Sequence, residues 1–287
     1  MDIQDWPLGT KSQLTSQQTA KITIPDVICN STRIMYVHDS LYITHMPGPA
    51  PSLGAEWKNL WWCRVERCPE MDCVFPSTMT GGENWTTIFY RLRTLWVSQL
   101  PKAQFIWSWR KHEIYGVSFQ DLEFMHVDFC PRLTHVLPLS LALIQGLGLN
   151  YLRTLEIVWC GDLRAVFPLD TDAESYQDRR HQAITVTFQY LQCIHLHELP
   201  MLHGFCGHGR MYAPNLKSMV IRGCWNLTRI PSVGGGHITK KVKCDCEKEW
   251  WDRLEWDGVQ ENHHPSLYEP SHPRYYKNTL LRGSVLI

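Results

Sequence analysis

The chain has 287 residues, of which 44% are hydrophobic and 20% charged, a composition that fits a folded globular protein and excludes a wholly disordered one. Lysine plus arginine and aspartate plus glutamate both total 28, so the net charge is zero and no broad basic surface for nucleic acid or an anionic membrane is indicated. The most apolar run, 133–149, is broken by Thr134, His135, Pro138, Ser140 and Gln145 and is too short to span a bilayer.

Residues 1–30 are polar, with no basic stretch leading into an apolar one, so they predict a poorly ordered segment and no secretory leader. From Thr32 onward one frame recurs, with apolar residues at offsets 0, 3, 5, 8, 11 and 14. The first copy is weak: Thr32, Met35, Val37, Ser40, Ile43 and Met46. Six strong copies follow, opening at Leu60, Leu92, Leu122, Leu152, Leu191 and Leu216. In the Leu152 copy, for example, the members are Leu155, Ile157, Cys160, Leu163 and Val166. Copies start 25 to 39 residues apart.

The spacing has a physical meaning. Offsets 3 and 5 differ by two, so both side chains leave a short strand on one face. Offset 8 is cysteine in four copies (Cys68, Cys130, Cys160 and Cys224), where a small buried group can pair with the backbone of a turn. Proline or glycine follows at Pro69, Pro101, Pro131, Gly161 and Pro200, which suits that turn. One such unit buries too few side chains to offset the entropy of ordering it, so the units must stack. The predicted fold class is α/β: a curved leucine-rich-repeat solenoid over 31–241, with one parallel sheet on the concave side. The convex side is expected to be irregular or to hold short helical segments, such as a turn or two over 141–148. The long interval 168–188 predicts a solvated surface loop, with a variable contact loop as the sharper alternative.

Past Lys241 the frame breaks, and 242–287 predicts a cap and tail. Val242 and Cys244 suit a last strand. Residues 247–256 suit a short helix with acids near its start, Trp250 and Leu254 one turn apart, and Gly258 at its end. An array's open end needs covering, which gives this region its role. The remaining segment, with His263, His264 and His272, is expected to be irregular.

Motifs for chemistry are weak. His197-Glu198-Leu199-Pro200-Met201 begins like a zinc-protease helix but ends in Met, and Pro200 breaks a helix. Cys244 and Cys246 with His263 and His264 have poor spacing for a structural zinc site. The eleven cysteines, an odd number, read as thiols in a reducing compartment, and the sequons at Asn30, Asn84 and Asn226 as chance matches. No enzyme, cofactor or metal is expected, and the expected location is cytoplasmic.

The copies at 155–168 (LEIVWCGDLRAVFP) and 216–231 (LKSMVIRGCWNLTRIP) resemble the C-terminal repeats of plant nucleotide-binding leucine-rich-repeat disease resistance proteins, in particular their grass-type branch. So do KKVKCDCEKEWWDRLEWDG at 240–258 and HHPSLYEPSHPRYYKNTLLRGSVL at 263–286, and the resemblance covers roughly residues 50–287. The family's nucleotide-binding domain has no counterpart here: there is no GxxxxGK[ST] loop, and Gly234 to Gly236 lead into His-Ile-Thr-Lys. The resemblance implies recognition of a protein partner: a pathogen effector, a guarded host protein, or a receptor nucleotide-binding domain in another polypeptide. A non-immune adaptor, such as a ubiquitin-ligase substrate-recognition subunit, is the alternative, although residues 1–30 are too short and polar for an F-box-like segment. The weak copy at Thr32 reads either as a degenerate cap or as the cut end of a longer array.

A partner is expected on the concave face. Strand alternation points Tyr36 and His38, Arg64 and Glu66, Trp96 and Ser98, His126 and Asp128, Glu156 and Val158, His195 and His197, and Val220 and Arg222 there. The expected contact residues are Tyr36, Arg64, Glu66, Trp96, His126, Asp128, Glu156, His195, His197 and Arg222. Arg64, Trp96, His126, Glu156, His195 and Arg222 are expected to form one column. Aromatic residues and arginines are common interface anchors.

Overall fold

The computed structural model describes residues 2–3, 23–46, 48–49, 57–75, 89–107, 119–137, 149, 151–168, 185–207, 209–234 and 241–273. The expected helical turn at 141–148, most of the 168–188 loop and the Asn84 sequon lie outside them, as do most of residues 1–22 and the end of the tail.

Each copy of the frame contributes one five-residue strand at offsets 2 to 6. In chain order the first eight strands are β1 (Asp2–Ile3), β2 (Thr23–Ile24), β3 (Ile34–His38), β4 (Gly48–Pro49), β5 (Trp62–Glu66), β6 (Cys73–Phe75), β7 (Thr94–Ser98) and β8 (Phe105–Trp107). They are followed by β9 (Phe124–Asp128), β10 (Thr154–Val158), β11 (Thr185–Thr187), β12 (Cys193–His197), β13 (Arg210–Tyr212), β14 (Ser218–Arg222), β15 (Val242–Cys246) and β16 (Tyr268–Ser271). Ten of these form one parallel sheet in the order β1-β3-β5-β7-β9-β10-β12-β14-β15-β16. Strand order follows chain order, as stacking of successive units requires. The chain is a leucine-rich-repeat solenoid. Behind the main sheet, β6 pairs with β8 and β11 with β13, so the opposite side carries short parallel strands as well as irregular segments.

Backbone hydrogen bonds join equivalent points of successive repeats. The carbonyl at offset 1 accepts from the next repeat, as in Trp61 and Trp62 N–H to Arg33 (3.0 and 3.3 Å). At offset 12 the bonds run Asp72 to Thr44, Gln104 to Asp72, Thr134 to Gln104, Arg164 to Thr134 and His203 to Arg164. From Asp39 to Glu198 each offset-7 N–H reaches the next repeat's offset-6 carbonyl, as in Gln99 to Asp128 (3.0 Å) and Trp159 to His197 (2.9 Å). These ladders satisfy polar groups that stacking takes out of water. The offset-8 cysteines complete the same corner. Cys68, Cys130, Cys160 and Cys224 each place Sγ 3.3–3.5 Å from the carbonyl two residues back.

Offset 7 is also where the backbone turns left-handed. Asp39, Arg67, Gln99, Phe129, Trp159 and Glu198 all have φ between 48° and 60°, and Gly223 has φ 66°. Seven repeats share this conformation although glycine occupies it once, so the turn is imposed by the stack rather than by the residue. Side chains other than Gly, Asn and Asp are disfavoured there.

The core contains every frame position, including those of the weak copy: Met35, Val37 and Met46 are fully buried, and Thr32, Ser40 and Ile43 nearly so. That copy packs like the others despite its polar members. Two further positions recur. Offset −3 is Cys29, Trp57, Phe89, Phe119, Leu149, Phe188 and Ala213, and offset 15 is Phe75, Trp107, Leu137, Phe167 and Cys206; all are buried. Their aromatic members pack against one another along the array, with ring centroids 4.8 Å apart for Phe75 and Phe89 (tilted), 5.9 Å for Phe89 and Phe119 (stacked), and 5.2 Å for Trp107 and Phe119 (edge to face).

At the C-terminal end, β15 continues the sheet and is followed by a helix of four residues, Lys248–Trp251. This helix is shorter than the expected 247–256. Trp250 is buried and donates from Nε1 to the Leu227 carbonyl (2.8 Å), and Leu254 is buried too. Gly258 does not end the helix; its φ of 119° serves a later turn closed against His263. The segment expected to be irregular forms a short 3-10 turn at Pro265–Leu267 and then β16, which pairs in parallel with β15. Tyr268 is buried there and donates to the Pro231 carbonyl (2.6 Å). Pro270 is tolerated because β16 is an edge strand that needs no donor on its open side.

Candidate functional site

Strand register brings the offset-4 residues side by side. Tyr36 faces Arg64, Arg64 faces Trp96, then His126, Glu156, His195, Val220 and Asp245 follow in turn. Five of the six residues expected in one column therefore do form it. The sixth, Arg222, lies two residues further along β14 and pairs in register with His197, and Val220 takes its place.

The column is a chain of specific contacts. The Arg64 guanidinium lies between two rings, 5.5 Å from the Tyr36 centroid and 5.0 Å from that of Trp96. Trp96 stacks on His126 at 3.8 Å with an interplanar angle of 23°. His126 Nδ1 lies 2.9 Å from Glu156 Oε2, and Nε2 lies 3.7 Å from Asp128 Oδ2. Burial alone would lower the His126 pKa; the Asp128 and Glu156 carboxylates outweigh it and raise it to about 9. The imidazolium in turn holds Glu156 below the usual carboxylate range. Tyr36, Arg64, Trp96, Glu156 and His195 are half-buried.

The offset-6 residues behave differently. Glu66, His197 and Arg222 are on the predicted side of the sheet but are 2–3% exposed, so they are not a contact surface as expected. Glu66 is a hub: it accepts from the Tyr36 hydroxyl, from Arg64 Nε (2.7 Å) and from Arg67 Nη1 (2.5 Å). Burial would raise its pKa, yet these donors hold it low. Arg67 also reaches Asp39 through Nε (2.5 Å) and Nη2 (2.8 Å), and Asp39 meets His38 Nδ1 (2.7 Å). Arg222 pairs with Asp245. Burial, then the nearby His195 and Arg222, push His197 down to about 4, so it is neutral at pH 7.

The sequence frame had singled out neither Arg67 and Asp39 nor Phe129 and Trp159. All four sit at offset 7, one residue beyond the strand, and a repeat-by-repeat alignment of that position is the signal that finds them. The rigid array can present fixed aromatic faces, a guanidinium and paired charges to a macromolecular partner. Among the described residues no cluster of three or more His, Cys, Asp or Glu could hold a metal ion, and no described helix is long and apolar enough to cross a membrane.

Comparison with known proteins agrees with this architecture. Residues 56–145 match the family model for the leucine-rich repeats of plant disease resistance proteins that are RPS2-like. No curated protein and no solved structure matches the chain. The matched segment spans β5 to β9, which carry Arg64, Trp96, His126 and Asp128, and it makes this stretch of the solenoid similar to the repeats of plant disease resistance proteins.

Proposed function

We propose that this chain is a protein-recognition module of plant innate immunity that binds a pathogen effector or a host partner protein through its concave face. The observation that carries the proposal is the unbroken column from Tyr36 to His195, in which rings and charges are held by neighbours from adjacent repeats. Preorganised aromatic and arginine side chains lose little entropy on binding and commonly anchor interfaces. The match at residues 56–145 supports the immune context, and the sequence resemblance at 240–286 points to a grass-type receptor. The module acts by binding rather than by catalysis, in the cytoplasm, and without a nucleotide of its own. A receptor nucleotide-binding domain in another polypeptide is the third partner class.

The test is co-purification of the intact chain from plant tissue, beside Trp96→Ala and the control Arg93→Ala, an exposed residue just before β7 that lies outside the column. A partner retained by the control and lost from the Trp96 variant supports the proposal. Recovery of ubiquitin-ligase scaffold proteins instead would favour the adaptor reading. Measurable ATP binding by the purified chain would contradict the proposal that it acts without a nucleotide.

A further inference from the structure

Two aromatic residues occupy the left-handed offset-7 position in neighbouring repeats: Phe129 (φ 48°) and Trp159 (φ 60°). Bulky side chains are unfavourable in that conformation, and burial does not compensate here, because Trp159 is 39% exposed and Phe129 is half-buried. Their rings stack at 5.1 Å and 20° on the rim of the concave face, with His197 6.0 Å beyond Trp159. The other repeats place Asp39, Arg67, Gln99, Glu198 and Gly223 at this position. The fold therefore does not require aromatic groups there.

Charge on this rim is uneven. Toward the N-terminal end, Asp39 and Arg67 sit at offset 7 and neutralise each other. Beyond Trp159 the next offset-7 residue is Glu198, whose carboxylate packs over Gly223. The Gly223 N–H in turn donates to Glu247 Oε1 (3.0 Å). Asp245 lies alongside and is taken up by the buried Arg222. Glu198, Asp245 and Glu247 thus share this corner with two cations, Arg222 and the adjacent exposed Lys248, and the nearby His197, 4.0 Å from Glu198, adds no charge at neutral pH. The corner is net negative and adjoins an exposed aromatic pair.

We propose that this rim, formed by Phe129, Trp159, Glu198 and Glu247, receives an arginine side chain from a basic segment of the bound protein. The guanidinium lies on the exposed part of the Trp159 ring and donates to the Glu198 carboxylate. Arginine suits the site better than lysine because its planar group stacks on a ring while its N–H fork meets a carboxylate. The inference rests on the proposed recognition function and adds the chemistry of the partner.

The test uses the full chain and fluorescein-labelled octapeptides that differ only at two central positions, occupied by arginine, its neutral isostere citrulline, lysine or glutamate. Fluorescence anisotropy should show the arginine peptide binding about two- to fivefold more tightly than the citrulline peptide for each engaged side chain, with lysine between them and glutamate weakest. Trp159→Ala and Glu198→Gln should each remove most of that preference, and added salt should weaken it. Circular dichroism checks that both variants fold. Equal binding of the arginine and citrulline peptides, or a preference that survives both substitutions, overturns the inference. In the plant-tissue capture, a partner lost with Trp96→Ala but recovered in unchanged amount with Trp159→Ala overturns this inference while leaving the recognition function standing. Retention by both variants sinks that function itself.

Discussion

Phe89 and Trp159 form a controlled pair for testing how the solenoid is held together. Both have left-handed backbones, with φ 58° and 60°, and both stack on another aromatic residue, Phe119 and Phe129 respectively. Alanine keeps the Cβ, so the backbone cost stays in both variants and cancels in the comparison. The difference is burial, 0% exposure for Phe89 against 39% for Trp159. Phe89 lies among Phe75, Phe119 and Trp57, at centroid distances of 4.8, 5.9 and 6.5 Å, so its removal leaves a cavity bordered by three repeats. Phe89→Ala should cost roughly 3–5 kcal/mol. Trp159→Ala loses a half-exposed stack and should cost about 1 kcal/mol. Urea denaturation followed by far-ultraviolet circular dichroism measures both. Equal losses, or a loss below about 1 kcal/mol for Phe89→Ala, would refute the view that offsets −3 and 15 form the spine of the array.

Stability should depend on pH through two histidines. The folded pKa of His126 is raised to about 9, so its contribution is complete below pH 6.5 and is lost as pH rises through 9; His126→Gln should flatten the alkaline side of the stability profile. His197 is pushed down to about 4, so its neutral form favours the fold above pH 6.5, and that advantage disappears as pH falls from 6.5 to 4. His197→Gln should make the acid side shallower in the same denaturation series. Gly223→Ala adds a Cβ 2.9 Å from Glu198 Cδ at a φ of 66°, and should cost about 1–2 kcal/mol, part of it restored by Glu198→Ala. Ten of the eleven cysteines are buried and Cys193 is half-buried, so Ellman's reagent should modify Cys193 first. Burial pushes the Cys224 thiol up to about 12, and it should react only on unfolding; rapid labelling of Cys224 in native protein would contradict the packing.

The solenoid was legible in the sequence because its rule is local. Within one repeat, offsets 3 and 5 put Leu155 and Ile157 on one face, and offset 8 puts Cys160 at the turn, whatever the neighbouring repeats do. The alternation also placed Arg64, Trp96, His126, Glu156 and His195 opposite the core, and register in a parallel sheet then made them adjacent. What the frame did not contain were positions whose meaning lies between repeats. Phe75 and Phe89 are fourteen residues apart and belong to different copies, so their ring contact appears only when the units are stacked. The weak copy at Thr32 is buried like the others because the repeat beside it, rather than its own hydrophobicity, provides the packing surface. Strand β16 has one buried residue, Tyr268, which is too faint a pattern to read without β15 beside it. Glu66 looked like a surface carboxylate by alternation alone. Only tertiary structure brings Tyr36 from the preceding repeat, together with Arg64 and Arg67, to enclose it, because a charge leaves water only where partners from neighbouring turns of the solenoid take over its hydration.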